Sequence, residues 1–419
     1  MSSNRTFYSF LLNIINVLKN TVSGLEYLYE SSLIPKRKEG KHYLYWDKKK
    51  YLAKLISRIK SFYTQKIDFI DIVGPDVVRP ISKKPRIIHM IVWLGGIGGA
   101  PRLILDLANG LKDKYHMEGI TLSNDFYYRY SNFKVHHFSK PELTLKFLLS
   151  NPPDILHTYY YGDWKGFHKN FELILQSKLP SVIIENLLVP IHIYRSNRIN
   201  HYVYCSNYIR GLQYKEFENE TVIYPGVDLE EFIPNQNIKK RTNSVGMVYR
   251  LWDDKIDQST IEMFISLVKK RPSVLVYVIG GGFNFHHYVE RTRIEGVRSN
   301  FYFTGEVGYK DLPSWYDKFG IFVAPVHNES YGLVVPYAMA ENIPVVAYRR
   351  GVLPELLGDT NSIVNTSNEM VAKLVYLLDN PNLARTISSG GRKRVENLFS
   401  MNKMVEHYDN LYQKLLNGN

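Results

Sequence analysis

The chain has 419 residues, of which 45% are hydrophobic, and it carries a formal net charge of +13. That is enough chain and apolar content for two or three domains, each with its own core. The lone cysteine, Cys205, excludes an intramolecular disulfide and a thiolate metal cluster, and the 13 histidines show no HExxH ligand spacing. His286 and His287 stand together in an expected loop, and no metal site is expected. Nothing resembles a secretory signal peptide, so the expected setting is reducing and cytoplasmic.

The charge is unevenly spread. Residues 1–65 hold twelve Lys and Arg against four acids, a local excess that suits an anionic surface, membrane or nucleic acid. "RTFYSFLLNIINVLKNTVSGLEYLYE", from Arg5, is apolar but interrupted by Asn13, Asn16, Lys19 and Asn20, too polar for a transmembrane span. "YLAKLISRIKSFY" sets Leu52, Leu55, Ile56 and Ile59 at helical spacing between Lys and Arg. Residues 1–71 therefore read as a basic amphipathic helical extension, lying in a membrane interface or packed on the next domain.

From Arg86 the pattern changes. "RIIHMIVW" is a continuous apolar run, as a strand buried on both faces requires. "LGGIGGAP" follows, then "RLILDLANGLKDKY", a helix with Leu103, Leu107 and Leu111 on one face. "DILHTYYY", "SVIIEN" and "HYVYCS" repeat the alternation, which predicts a doubly wound α/β domain. After the polar linker "NQNIKKRTN" the alternation restarts, with strands at "SVGMVY", "VLVYVIGG", "NFYFTG", "GIFVAP" and "IPVVAY". The expected organisation is two Rossmann-like domains, 72–234 and 241–400. "SMNKMVEHYDNLYQKLL" then forms a helix with Met404, His407, Leu411 and Leu415 on one face, and residues 401–417 complete the first domain.

Three stretches carry chemistry. Gly95, Gly96, Gly98 and Gly99 join a strand to a helix, where backbone N–H groups can approach a ligand or simply make a tight turn. In "VYRLWDDK", Arg250 and Lys255 lie just past a strand end, spaced to clamp a diphosphate, with Asp253 and Asp254 able to neutralise them instead. In "ESYGLVVPYAMAENIPVVAYRRG", Pro336 forces the helix to start near Gly332 or Leu333, and its free N–H groups suit an anion. Glu329, just before that turn, suits a neutral partner rich in hydroxyls such as a sugar, or else caps the turn.

These pieces, in this order over residues 86–415, resemble the retaining GT-B glycosyltransferases of glycosyltransferase family 4. The most specific are "YRLWDDK", "APVHNESYGLVVPYAMAENIPVVAYRRGVLPELL" and the closing "FSMNKMVEHYDNLYQKL". The resemblance implies a GT-B fold, two Rossmann-like domains facing a cleft. It implies that Arg250 and Lys255 grip the donor diphosphate and that Glu329, first acid of an E-x7-E motif, contacts the donor sugar. Gly332 and Leu333 would hold phosphate and sugar, and Glu306 and Val307 would hold the base. Gly96 and Gly98 would face the donor phosphates and the acceptor. This sequence also departs from the pattern. Tyr337 replaces the second acid, which in the family binds ribose hydroxyls. His157 keeps the first histidine of an H-x-H pair and Tyr159 replaces the second. Tyr249 stands where glycine is usual.

The resemblance implies retaining, metal-independent sugar transfer to a glycan or lipid-linked acceptor without a cofactor, and no motif interleaving aromatic and basic residues points to nucleic acid as a partner. The loss of the ribose-binding acid at Tyr337 favours a dTDP- or UDP-sugar donor. An enzyme bound to the inner membrane face through residues 1–65 would suit a lipid-linked acceptor. Rival readings are an epimerase, a phosphorylase, or a degenerate GT-B binding module.

Overall fold

In the computed structural model, the described residues are 84–94, 98–122, 133–138, 140–159, 162, 167–213, 218–234, 243–358 and 360–418. The amphipathic helices expected in residues 1–71, and Gly96, lie outside them.

Continuous apolar runs form the strands, because each must be buried on both faces. In the first sheet, β1 (Arg86–Ile91), β2 (His116–Thr121), β3 (Lys134–His137), β4 (Ile155–Tyr159), β5 (Val182–Leu187), β6 (His201–Tyr204) and β7 (Glu220–Val222) lie in the order β3-β2-β1-β4-β5-β6-β7. All pairs are parallel, with β1 flanked by β2 from Arg86↔His116 and by β4 from Ile87↔Ile155. In the second, β8 (Ser244–Val248), β9 (Leu275–Ile279), β10 (Phe301–Phe303), β11 (Ile321–Ala324), β12 (Val345–Tyr348) and β13 (Ile363–Val364) lie in the order β10-β9-β8-β11-β12-β13, again all parallel. Each sheet is a Rossmann-like doubly wound unit. In each, strand order reverses beside the first strand, between β1 and β4 and between β8 and β11. Open α/β sheets present their ligand crevice at the carboxyl ends of such a pair.

The helix Met401–Leu416 returns to the first sheet. Met404, Tyr408, Leu411 and Tyr412 join Ile87, Leu103 and Leu107 in one core. The sequence pattern placed His407 on that face. His407 is exposed, and the two tyrosines take the buried positions. They are tolerated because polar partners meet them: Tyr412 Oη lies 2.8 Å from His157 Nδ1, and Asn186 Nδ2 donates to Tyr408 Oη at 2.5 Å. His89 Nδ1 lies 3.0 Å from Tyr159 Oη in the same layer. The Nε2 atoms of His89 and His157 have no partner among the described residues.

Burial pushes the His89 imidazole down to about 3 and His157 well below its ordinary value. A base held neutral in the native state binds fewer protons there than in the unfolded chain, so stability rises with pH through the interval between the two values. For His89 that interval runs from 6.5 down to about 3. The His89→Gln variant should gain on the parent as pH falls below 6.5, by about 1.4 kcal/mol per pH unit for one proton. Urea unfolding at pH 7, 6, 5 and 4 checks this. Parallel stability profiles for the two proteins would show that His89 protonates freely.

Candidate active site

β8 ends at Val248, and the chain turns sharply through Tyr249 to Asp257. The turn is held to the end of β9 by Tyr249 N donating to Ile279 O at 3.0 Å and Leu251 N donating to Gly281 O at 2.9 Å. A side chain on Gly280 would meet Tyr249 O at 2.0 Å, and Gly280 has φ +128, so only glycine lets these loops close up. From inside the turn, the Asn284 amide donates to Asp253 Oδ1 at 2.8 Å and Ile256 O at 3.1 Å. Asp257 then caps the helix Gln258–Lys270 through Ser259 N. This frame fixes Arg250 and Lys255 at the carboxyl end of β8.

The two cations have different partners. Arg250 Nη2 rests 3.1 Å from Asp254 Oδ2, and both side chains are more than half exposed. Such a pair contributes little and exchanges readily for a better anion. Lys255 reaches across the crevice to the chain leaving β11. Its Nζ donates to Glu329 Oε1 at 2.7 Å and to Asn328 O at 3.3 Å. Asp253 is taken by Asn284, so of the two neighbouring acids only Asp254 neutralises a clamp cation.

Glu329 is buried at 5% exposure, and its Oε1 also accepts from Ser330 N at 3.1 Å. The carboxylate thus closes its own turn, one of the two roles read from the sequence, and also binds Lys255, which was not foreseen. Its backbone is gripped by the loop after β12: Val352 N donates to Glu329 O at 3.0 Å. Gly332, with φ +70, lies directly against it, since a Cβ there would sit 2.7 Å from Glu329 Cγ. Leu333 then caps the helix Val334–Ala340. Leu333 Cδ1 lies 3.6 Å from where a Cβ on Gly99 would stand, so the glycine segment of the first domain faces the Gly332 turn of the second. Gly98, just before it, is exposed, and its carbonyl accepts from Arg102 N at 3.2 Å.

Further bonds tie the two domains beside this turn. Ser206 Oγ donates to Ser330 O at 3.1 Å, and Tyr331 Oη donates to Pro225 O at 2.7 Å. Glu355 accepts from Asn207 N and Tyr208 N, each at 2.8 Å, and from Tyr224 Oη at 2.6 Å. No sequence signal marked Glu355, Ser206 or Asn284, because their partners are distant in the chain.

Glu306 and Val307 follow β10. Glu306 is exposed, with its Cγ 2.9 Å from where a Cβ on Gly281 would stand, and Val307 is half-buried. They border the glycine loop after β9, next to the Arg250 turn.

Three expected site residues are enclosed. His157 and Tyr159 are fully buried, 4.7 Å apart between ring centroids, and lie against the helix Met401–Leu416 rather than in a cleft. The cause is strand alternation: Ile155, His157 and Tyr159 share one face of β4, and that face is core. Tyr337 is also buried, at 4% exposure. Its ring lies flat on Phe232, with centroids 4.0 Å apart and planes at 1°, and edge-on to Tyr309 at 6.0 Å. Burial pushes its phenol up from the ordinary value. A ring enclosed in this way fills the domain junction.

Comparison with known proteins agrees with this architecture. Residues 228–394 match the family described as Glycosyl transferases group 1. The capsular polysaccharide biosynthesis glycosyltransferase CapM of Staphylococcus aureus is 25% identical over 269 residues, covering 60% of this chain and 67% of that protein. Among solved structures, sucrose-phosphate synthase from Thermosynechococcus elongatus superposes with a TM-score of 0.66 at 17% identity, over 80% of this chain and all (100%) of that one. Anabaena HepE in complex with UDP-glucose superposes with a TM-score of 0.63 at 14% identity, over 79% of this chain and 100% of that one. The fold is GT-B.

Proposed function

We propose, on the premise that this chain is a glycosyltransferase carrying a group 1 domain, that it transfers a sugar from a UDP- or dTDP-sugar to a glycan or lipid-linked acceptor. The anomeric configuration is retained and no metal ion is required. The observation that carries the reading is the placement of Arg250, Lys255 and Glu329 on the two loops that flank the β8–β11 reversal. Arg250 is held only by an exposed aspartate, so a diphosphate can take it over with a planar two-point contact. Lys255 adds a second positive charge, and together they stabilise the leaving diphosphate as its charge develops. These cations do the work that a divalent ion does in other transferases.

Glu329 positions the sugar rather than attacking it, because its Oε1 is already engaged by Lys255 and Ser330 N. The bond from the anomeric carbon to the phosphate oxygen breaks. A bond to the acceptor oxygen forms on the same face, and the acceptor proton passes to the departing phosphate oxygen. The capsular polysaccharide role in the name of the Staphylococcus aureus relative supports a glycan acceptor. The UDP-glucose in the HepE complex supports a uridine donor. With Tyr337 enclosed at the junction, no carboxylate at that helix position selects for a ribose 2′-hydroxyl, which supports tolerance of dTDP.

Titration with UDP, dTDP, GDP and ADP in EDTA tests the donor assignment. UDP and dTDP should bind within about tenfold of each other, a gap of roughly 1.4 kcal/mol, and more tightly than GDP and ADP. Proton NMR of the transfer product, also in EDTA, should show the donor's anomeric configuration. Preference for a purine nucleotide, an inverted product, or loss of turnover in EDTA would each remove the corresponding part of the proposal.

A further inference from the structure

The helix Gly99–Gly110 belongs to the first domain and begins at the glycine loop. Arg102, on its first turn, points across the junction. Its guanidinium carbon lies 3.9 Å from the centre of the Tyr309 ring in the second domain. The guanidinium is oriented by carboxylates from two segments: Nε lies 2.8 Å from Asp106 Oδ1 on the same helix, and Nη2 lies 3.4 Å from Glu231 Oε2 in the segment after β7. Its side chain keeps 27% of its surface in water.

Tyr309 follows Glu306, Val307 and Gly308 directly, so it anchors the far end of that loop. The half-buried anchor meets two further rings. Phe232 meets the Tyr309 ring edge-on at 5.8 Å, and Tyr337 meets it edge-on at 6.0 Å. The Phe232–Tyr337 stack forms a flat apolar wall, and the Arg102 cation covers the remaining face. A cation over an aromatic ring and partly shielded from water is an attractive contact with a defined geometry.

We propose that Arg102 is a positioning residue for the nucleobase, acting through Tyr309 to hold the Glu306–Val307 loop in place. The proposal rests on the donor reading above, in which that loop receives the base. It makes base binding in the second domain depend on a side chain of the first. Lysine cannot substitute, because it lacks the planar group that lies on the ring while meeting two carboxylates.

Affinities for UDP and for inorganic pyrophosphate separate the base loop from the diphosphate clamp. Arg102→Gln and Arg102→Lys should each lower UDP affinity about tenfold, within the reach of a desolvated cation–π contact. Pyrophosphate affinity in both should stay within about twofold of the parent. A residue that merely supported the fold would move both ligands together. Unchanged UDP affinity, or equal losses for UDP and pyrophosphate, would overturn the proposal. Arg250→Ala serves as the check on the underlying reading and should weaken both ligands. If it weakens neither, the donor site is elsewhere, and the assignment of Arg102 falls with it.

Discussion

Arg250→Ala should lower kcat/KM for sugar transfer at least ~100-fold, roughly 2.7 kcal/mol, and leave thermal stability almost unchanged. The two halves of this expectation have separate causes. In the free enzyme Arg250 meets only Asp254, and that pair is more than half exposed on both sides. Exposed pairs of this kind are worth about 0–1 kcal/mol, so the fold loses little. In the proposed transfer the same guanidinium would face a diphosphate whose charge rises inside a crevice, where a charge-assisted contact is far stronger. Arg250→Lys should recover only part of the rate, because a point charge cannot reproduce the planar fork. Steady-state kinetics alongside a melting curve measures both halves. Full turnover in Arg250→Ala would end its assignment to the diphosphate.

Lys255→Ala should lose activity to a similar degree and, unlike Arg250→Ala, should lose stability as well. Lys255 is bonded to Glu329, whose side chain is 7% exposed, while its own is 23% exposed. Removing the cation leaves a carboxylate buried without its charge partner. The expected cost is about 2–3 kcal/mol, at the lower edge for breaking a buried pair because Lys255 is partly in water. The second substitution Glu329→Gln removes the stranded charge. The double variant Lys255→Ala with Glu329→Gln should therefore regain part of the stability and none of the transfer. Chemical unfolding of the single and double variants gives the coupling between the two side chains. Additive losses would mean that the ion pair is not what holds Lys255 and Glu329 together.

The parts of the fold that could be read from the sequence are those that local composition determines. "RIIHMIVW" became β1 because a run buried on both faces has no polar position to mark. β2, "HMEGIT", has no such run, because its His116 and Glu118 carry their own partners, with Glu118 bonded to Arg86, His116 and His136. Neither has β13, which has two residues and so no pattern. Arg250 and Lys255 were legible as a spaced pair past a strand end. The bond from Lys255 to Glu329 was not, because it joins loops from β8 and β11 that are neighbours only once the sheet order is set. His157 and Tyr159 were named from likeness to a motif, although period-2 alternation with Ile155 already placed all three on one face. Tyr337 was visible as a departure, but its burial under Phe232 depends on where the segment after β7 runs.

The helix Met401–Leu416 follows the whole second domain in sequence and yet packs into the core of the first domain. Synthesis from the N-terminus therefore delivers every strand of the second sheet before the first domain receives its outer layer. Until then the face of β1, β4 and β5 that will meet Tyr408 and Tyr412 is uncovered, with His89, His157 and Asn186 open to water. The first domain is thus finished by a contact between residues far apart in sequence, the kind of long-range closure that makes folding slow and leaves intermediates exposed to aggregation. The second domain, whose strands and helices are contiguous from Ser244 to Leu398, has no such wait.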